Sequence, residues 1–170
     1  MGLFLALWPG EQVRDALAEV AASLARLASG TPVPARKIHL TLAFLGKVAP
    51  QRLAAIREAA AAAQAAPFEW VLDGVGSFRD ARVAWAGSSE LPAGLARLQS
   101  DLDRGLRERG FALDERPFVA HVTLARKISL DVPRAPMPPI RWRASEYVLA
   151  RSETGTGRYS VLESWSLDRD

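Results

Sequence analysis

The sequence predicts an α+β fold in which two similar lobes face each other across a groove. Nearly half of the 170 residues (49%) are apolar, which suffices for a packed core. Predicted strands are separated by helices in one part of the chain and adjacent in another, which favours α+β over a regularly alternating α/β sheet. A weak repeat predicts the two lobes, because each half contains a helix, a strand with His-x-Thr-Leu and a pair of strands. No composition shift marks a linker, so residues 1–170 are expected to form one bilobal domain.

The first half of the chain is predicted to contain two strands and two helices. In order, these are a strand over residues 3–8, a helix over 11–28, a loop over 31–35, a strand over 37–45 and a helix over 50–65. Apolar residues recur at helical spacing in the first helix, and Gly30 ends it. Two prolines indicate the loop. In the second strand, large apolar residues alternate with His39, Thr41 and Ala43 up to Gly46. Pro50 opens the second helix.

The second half is predicted to contain one helix among five strands. The strands cover residues 68–72, 82–86, 118–126, 141–151 and 159–167, and the helix begins near Pro92. Four leucines at helical spacing form its buried stripe, and Gly110 is its C-terminal cap. Residues 73–80 and the proline-rich residues 133–139 are expected to be loops.

Composition excludes several kinds of site. The chain has no cysteine, which excludes disulfides, thiolate nucleophiles and cysteine-based zinc sites. No segment approaches the roughly 18 apolar residues of a membrane span, and residues 1–8 are too short and uncharged for a secretory signal. We therefore expect a soluble, cytoplasmic protein that does not associate with membranes. The formal net charge of +3 suits an anionic substrate but does not require one.

The only two histidines lie in the same four-residue motif. His39 begins His-Leu-Thr-Leu and His121 begins His-Val-Thr-Leu, so two of the five threonines, Thr41 and Thr123, follow a histidine by two positions. On a strand, each histidine shares a face with its threonine, while the apolar residues between them face the core. Imidazoles exchange protons near neutral pH, and hydroxyls donate hydrogen bonds to phosphate oxygens. The duplicated pair therefore predicts a general acid and a general base for displacement at phosphorus.

Other interpretations of the motif are weaker. A single histidine on a half-buried strand is usually structural, but neither packing nor strand propensity requires the same His-Thr pair twice. Two histidines are too few for a typical catalytic zinc site, and the motif strands contain no Asp or Glu. We therefore expect no metal and no cofactor. A Ser-His-Asp triad lacks its signature, since Gly87-Ser88-Ser89 is not a nucleophile elbow.

The paired motifs resemble those of the 2H phosphoesterase superfamily, and most closely its RNA 2′,3′-cyclic phosphodiesterase branch, historically called 2′-5′ RNA ligase. The resemblance covers residues 4–7, 38–46, 76–79 with 83–87, 116–118 with 121–126, and 151–153 with Tyr159. It implies two pseudo-symmetric lobes of antiparallel sheet and helices around a central groove. It also implies metal-free hydrolysis of 2′,3′-cyclic phosphate ends of RNA or nucleotides to 2′-phosphates. We expect a monomer with no obligate protein partner.

The same resemblance implies roles for the motif residues. One histidine would activate water and the other would protonate the departing ribose O3′. We assign His39 as the acid and His121 as the base, although the near-symmetry of the motifs leaves the reverse assignment open. Thr41 and Thr123 would hold phosphate oxygens.

Two further residues, Phe44 and Arg126, each follow a motif histidine by five positions. By resemblance, Phe44 would stack on a base and Arg126 would contact phosphate. Strict alternation places both on the core face, so they can serve the site only if each strand bends or ends there. The chain has Ala120 where the family often has proline. We expect the absence of proline to make the approach to the strand less rigid without changing the chemistry.

Three alternatives remain open at this stage. The first is 2′-5′ ligation, the chemical reverse, in which an RNA 5′-hydroxyl attacks the cyclic phosphate. The second is a non-catalytic module that binds RNA ends. The third is a small cyclic-phosphate metabolite as the natural substrate, because the sequence has no long basic stripe.

Overall fold

The computed structural model describes residues 2–168, and within that range it contains three α-helices and nine strands. The helices are α1 (Glu11–Ala28), α2 (Leu53–Ala62) and α3 (Ala93–Glu108). The strands are β1 (Gly2–Leu7), β2 (Thr31–Pro32), β3 (Leu40–Gly46), β4 (Phe68–Phe78), β5 (Val83–Gly87), β6 (His121–Arg126), β7 (Ala135–Ala144), β8 (Glu146–Ser152) and β9 (Tyr159–Ser166). The predicted α+β class is confirmed. Residue 1 and residues 169–170, at the ends of the predicted domain, lie outside the described residues.

The strands form one antiparallel sheet with the two motif strands at its centre. The order is β7-β4-β5-β6-β3-β1-β8-β9, and β2 also pairs with β6. Leu40 of β3 pairs with Val122 of β6, which joins the two halves. On this path each half contains four strands, with a motif strand innermost. The sheet is therefore pseudo-symmetric about the boundary between β3 and β6.

The lobes are not the two halves of the chain. The β4–β5 hairpin follows β3 in sequence, but β5 pairs with β6. The β8–β9 hairpin follows β6, but β8 pairs with β1 beside β3. Neither motif strand is therefore adjacent to the hairpin that follows it in sequence. Each lobe therefore contains strands from both halves of the chain.

Two predicted loops are strands. Residues 73–78 continue β4, and most of the proline-rich segment belongs to β7. Proline lacks the amide hydrogen that an interior strand needs, but β7 is the last strand at its end of the sheet, where an unpaired edge tolerates proline. The single strand predicted over 141–151 is divided at Ser145 into two strands, β7 and β8. The two lie in different lobes, near opposite ends of the strand order.

Smaller differences occur around the first motif strand. Ala35–Lys37 form a turn of 3₁₀ helix, so β3 begins at Leu40 rather than at residue 37. Residues Thr31–Pro32, predicted as loop, make a short pairing with β6. The second predicted helix begins with a 3₁₀ turn at Pro50–Arg52 and ends at Ala62, before the expected end at residue 65.

One face of the sheet packs against the helices. The four leucines of α3, at positions 95, 98, 102 and 106, are fully buried, as their spacing predicts. Gly110 follows α3 with φ of +87°, the left-handed conformation expected of a helix cap. Leu40 and Val122, between the histidine and threonine of each motif, also face this core. Within residues 2–168, no helix is long and apolar enough to cross a membrane.

Candidate active site

A β-bulge follows the threonine of the first motif. Leu5 of β1 pairs with Ala43, but the next residue, Ala6, pairs with Thr41. Strand β3 therefore has one residue more than its partner, at Leu42. An extra residue reverses the alternation of side chains beyond it.

The second motif contains the same irregularity at the equivalent position. Ala84 of β5 pairs with Ala125, and Trp85 pairs with Thr123. Leu124 of β6 is thus the extra residue. The pseudo-symmetry of the sheet extends to the local distortion of its two central strands.

The two bulges bring Phe44 and Arg126 onto the face that carries the histidines and threonines, here called the groove face. Phe44 is 62% exposed and Arg126 is also exposed, whereas Ala43 and Ala125 before them are buried. Strict alternation is therefore wrong for the ends of both strands. The bend that would let these residues serve the site is present in each.

Both imidazoles are oriented by a backbone carbonyl two residues earlier. Nδ1 of His39 lies 2.6 Å from the carbonyl oxygen of Lys37, and Nδ1 of His121 lies 2.8 Å from that of Val119. A carbonyl can only accept, so Nδ1 donates the hydrogen bond and Nε2 carries the lone pair in the neutral ring. The Thr41 hydroxyl lies 3.0 Å from Nε2 of His39 and can donate to it. Each ring therefore has Nε2 as its proton-exchanging atom.

The antiparallel register places each histidine beside the threonine of the other motif. Leu40 is opposite Val122, so His39 is on the level of Thr123, one position away on each strand. His121 is correspondingly on the level of Thr41. The register therefore brings the two imidazoles and the two hydroxyls to the same part of the groove face, at the centre of the sheet. They are called the polar cluster below.

His39 is enclosed by aromatic rings. The Trp8 ring is stacked on it at a centroid distance of 4.9 Å and an interplanar angle of 19°. The Phe4 and Tyr159 rings lie at 5.0 and 5.6 Å. His121 instead meets the edge of a single ring, Phe78, at 5.0 Å. The pseudo-symmetry of the site is broken by this packing.

This enclosure has an electrostatic consequence. Burial lowers the pKa of His39 below its ordinary value, since it removes water from the charged imidazolium. The hydrogen bond to Lys37 opposes this shift in pKa, whereas the positive charges of Arg126 and His121 add to it. The packing around His39 therefore favours the neutral form of its imidazole over the charged form.

The sequence prediction did not include the aromatic residues around the histidines. Trp8 and Tyr159 come from opposite ends of the chain, and Phe78 lies in a segment predicted as loop. The alternation of Phe4, Ala6 and Trp8 along the first strand was the one available signal, because it defines a second apolar face. That signal does not reveal what the second face covers.

Arg126 has no acidic partner among residues 2–168, where no Asp or Glu oxygen lies within 4.0 Å of its guanidinium. The same part of the chain contains no group of three or more His, Cys, Asp or Glu side chains placed to share a metal ion. The cluster and Arg126 together supply two imidazoles, two hydroxyls and one guanidinium. This set can exchange protons and hold an anion.

Comparison with known proteins gives a consistent relationship over the whole length. The family model described as LigT like Phosphoesterase matches residues 7–85 and 87–158. The RNA 2′,3′-cyclic phosphodiesterase of Escherichia coli is 32% identical over 169 residues, covering 97% of this chain and 96% of the relative. The enzyme of that name from Thermus thermophilus is 33% identical over 184 residues, covering 98% and 90%. The crystal structure of E. coli LigT complexed with 3′-AMP superposes with a TM-score of 0.88 at 31% identity, covering 99% and 98%.

Proposed function

The chain belongs to the LigT-like phosphoesterase family, and from this premise we propose that it hydrolyses 2′,3′-cyclic phosphates at RNA ends or on nucleotides to 2′-phosphates. The observation that carries the proposal is the duplicated His-Thr pair on one face, with Nε2 of each ring as the proton-exchanging atom. We propose further that the protein acts in the cytoplasm as a monomer and without a metal or cofactor.

The proposed reaction is a displacement at phosphorus between the two imidazoles. One Nε2 accepts a proton from water as the water oxygen forms a bond to phosphorus. The other Nε2 donates a proton to ribose O3′ as the bond from phosphorus to O3′ breaks. The bond to O2′ remains, so the products are a 2′-phosphate and a free 3′-hydroxyl. Proton transfer by a positioned imidazole contributes roughly 10² to 10⁴ in rate.

Thr41, Thr123 and Arg126 are proposed to hold the phosphate. The threonine hydroxyls would donate hydrogen bonds to its non-bridging oxygens, where negative charge grows as water adds to phosphorus. Arg126, which lacks an acidic partner within residues 2–168, would offset that charge. Phe44 is proposed to stack on the terminal base, because its ring is exposed on the same face.

The acid and base roles remain the prediction made from the resemblance, with His39 as acid. Burial lowers the pKa of His39, which disfavours the protonated form that an acid needs. An anionic phosphate beside the imidazole favours its charged form. The assignment therefore requires that the pKa of His39 rise when substrate binds.

The test is incubation with an oligoribonucleotide that ends in a 2′,3′-cyclic phosphate, in excess EDTA, followed by identification of the product end. We expect a 2′-phosphate, and loss of several orders of magnitude in rate for His39→Ala and for His121→Ala. Thermal unfolding of both variants serves as the control for folding. Near-native turnover by either variant contradicts the mechanism, and a 3′-phosphate product contradicts the assigned leaving group.

The same experiment separates the alternatives. Addition of an RNA with a free 5′-hydroxyl tests for ligation, which would give a joined product in place of the 2′-phosphate. Binding of the cyclic-phosphate RNA without turnover would instead indicate a module that only binds RNA ends. Sedimentation of the active protein tests the monomer.

A further inference from the structure

We propose that a cavity beside His39 binds a second phosphate of the substrate, the one on the 5′ side of the terminal nucleotide. The cavity has a volume of about 350 Å³, and its lining includes Trp8, Arg36, Lys37, Arg158 and Tyr159. This inference rests on the proposed function and specifies its substrate class: nucleotides that carry a 5′ phosphate, as every RNA end longer than one residue does.

The cavity shares three of its lining residues with the surroundings of His39. Trp8 and Tyr159 line the cavity and also pack against the imidazole of His39. Lys37 lines the cavity too, and its carbonyl oxygen accepts the hydrogen bond from His39. The cavity therefore lies next to the site, and three residues are common to the two.

The cations of the cavity are not neutralised by carboxylates. Within residues 2–168, no Asp or Glu oxygen lies within 4.0 Å of the side-chain nitrogens of Arg36, Lys37 or Arg158. Glu153, in the same hairpin as Arg158, accepts a hydrogen bond from Thr156. Of the other sixteen described arginines, eight lie within 4.0 Å of a carboxylate oxygen: Arg14, Arg57, Arg79, Arg104, Arg107, Arg109, Arg116 and Arg141. What distinguishes the cavity is that its lining brings three unpaired cations together. Three such cations around one cavity indicate that its occupant is an anion.

The shape of a nucleotide indicates which anion this is. The cavity lies toward the start of β3, whereas Phe44, proposed to receive the base, lies near its end. With the cyclic phosphate at the histidines and the base at Phe44, the remaining anionic group of the nucleotide is on its 5′ side. Guanidinium groups bind phosphate through paired hydrogen bonds, which suits Arg36 and Arg158 to this position.

The shared chemistry is a phosphate on O5′, which is either a terminal monophosphate or an internucleotide diester. Three substrates separate these sources: adenosine 2′,3′-cyclic phosphate, its 5′-phosphorylated form, and the dinucleotide ApA with a 2′,3′-cyclic phosphate end. Each is assayed with the wild type and with Arg36→Gln and Arg158→Gln. Arg143→Gln is the matched control, because Arg143 is an exposed arginine on β7 at the far side of the sheet.

We expect the kcat/KM of the wild type to be about tenfold or more higher for the two 5′-phosphate substrates than for adenosine 2′,3′-cyclic phosphate. One or two charge-assisted hydrogen bonds account for a difference of this size. On those two substrates, Arg36→Gln and Arg158→Gln should each lose about tenfold, the loss expected for one charge-assisted hydrogen bond. Both variants should leave kcat/KM for adenosine 2′,3′-cyclic phosphate unchanged. Arg143→Gln should change kcat/KM for none of the three substrates. A preference confined to the dinucleotide would support the internucleotide diester as the ligand.

Two results would overturn the proposal. One is that the wild type has the same kcat/KM for all three substrates. The other is that Arg36→Gln and Arg158→Gln lower kcat/KM for adenosine 2′,3′-cyclic phosphate as much as for the 5′-phosphate substrates. Failure of the wild type to turn over any cyclic phosphate would instead contradict the proposed function itself. The two failures are thus distinguishable.

Discussion

Replacement of Phe44 by alanine separates a binding role from a packing role. The side chain is 62% exposed, so little more than a third of it is buried. Full burial of a phenylalanine side chain is worth roughly 1.5–3 kcal/mol, which predicts that Phe44→Ala lowers the free energy of unfolding by only about 1 kcal/mol. Stacking on a base is worth about 1–3 kcal/mol, so kcat/KM should fall roughly 5- to 150-fold.

Phe111→Ala is the matched control for this measurement. Phe111 is 7% exposed and belongs to the core that contains the helices. Truncation of such a buried ring costs about 3–5 kcal/mol. We expect kcat/KM of Phe111→Ala to match the wild type at temperatures well below its unfolding transition.

The assays are urea unfolding and the hydrolysis of a nucleoside 2′,3′-cyclic phosphate by each variant. Phe44→Tyr should retain most of the activity, because it keeps the aromatic face. The reasoning is refuted if Phe44→Ala loses as much stability as Phe111→Ala while its kcat/KM stays at the wild-type value. That result would mean that the bulge in β3 exposes the ring without using it.

Three further measurements test the polar cluster. A pH titration monitored by NMR should give His39 a pKa below its ordinary value in the free protein and a higher pKa with inorganic phosphate bound. If phosphate does not raise the pKa of His39, the acid role passes to His121. The pKa of His39 is lower in the folded protein than in the unfolded chain, so below about pH 6.5 the unfolded chain binds more protons than the folded protein. The free energy of unfolding should therefore fall as the pH decreases from that value. His39→Gln should make this pH dependence weaker. Thr41→Val and Thr123→Val should each lower kcat about a hundredfold with little change in urea unfolding, and unchanged kcat would exclude their phosphate contacts.

The central chemistry of the site follows from local sequence. A histidine and a threonine two positions apart share a face on any regular strand, so each His-Thr pair could be placed on one face from spacing alone. The pairing of β3 with β6 is what joins the two pairs. The same period places Leu40 and Val122 in the core, where the structure has them. The leucine stripe of α3 and its glycine cap are local in the same sense.

The positions of Phe44 and Arg126 depend on tertiary structure. Their faces are decided by one extra residue in β3 and one in β6, and a bulge exists only relative to the strand that pairs with it. The exchange of hairpins between the lobes likewise depends on pairings between distant segments. Local periodicity contains no information about either.

The sequence by itself determined the α+β class, the paired motifs and the core face of each motif strand. Only the tertiary structure decided that aromatic rings from Trp8 and Tyr159 enclose His39 but not His121, and that cations without carboxylate partners surround a cavity next to it. The physical reason is that side-chain alternation is a property of a few consecutive residues. Burial, pKa and charge balance are sums over neighbours that the fold brings together from distant parts of the chain.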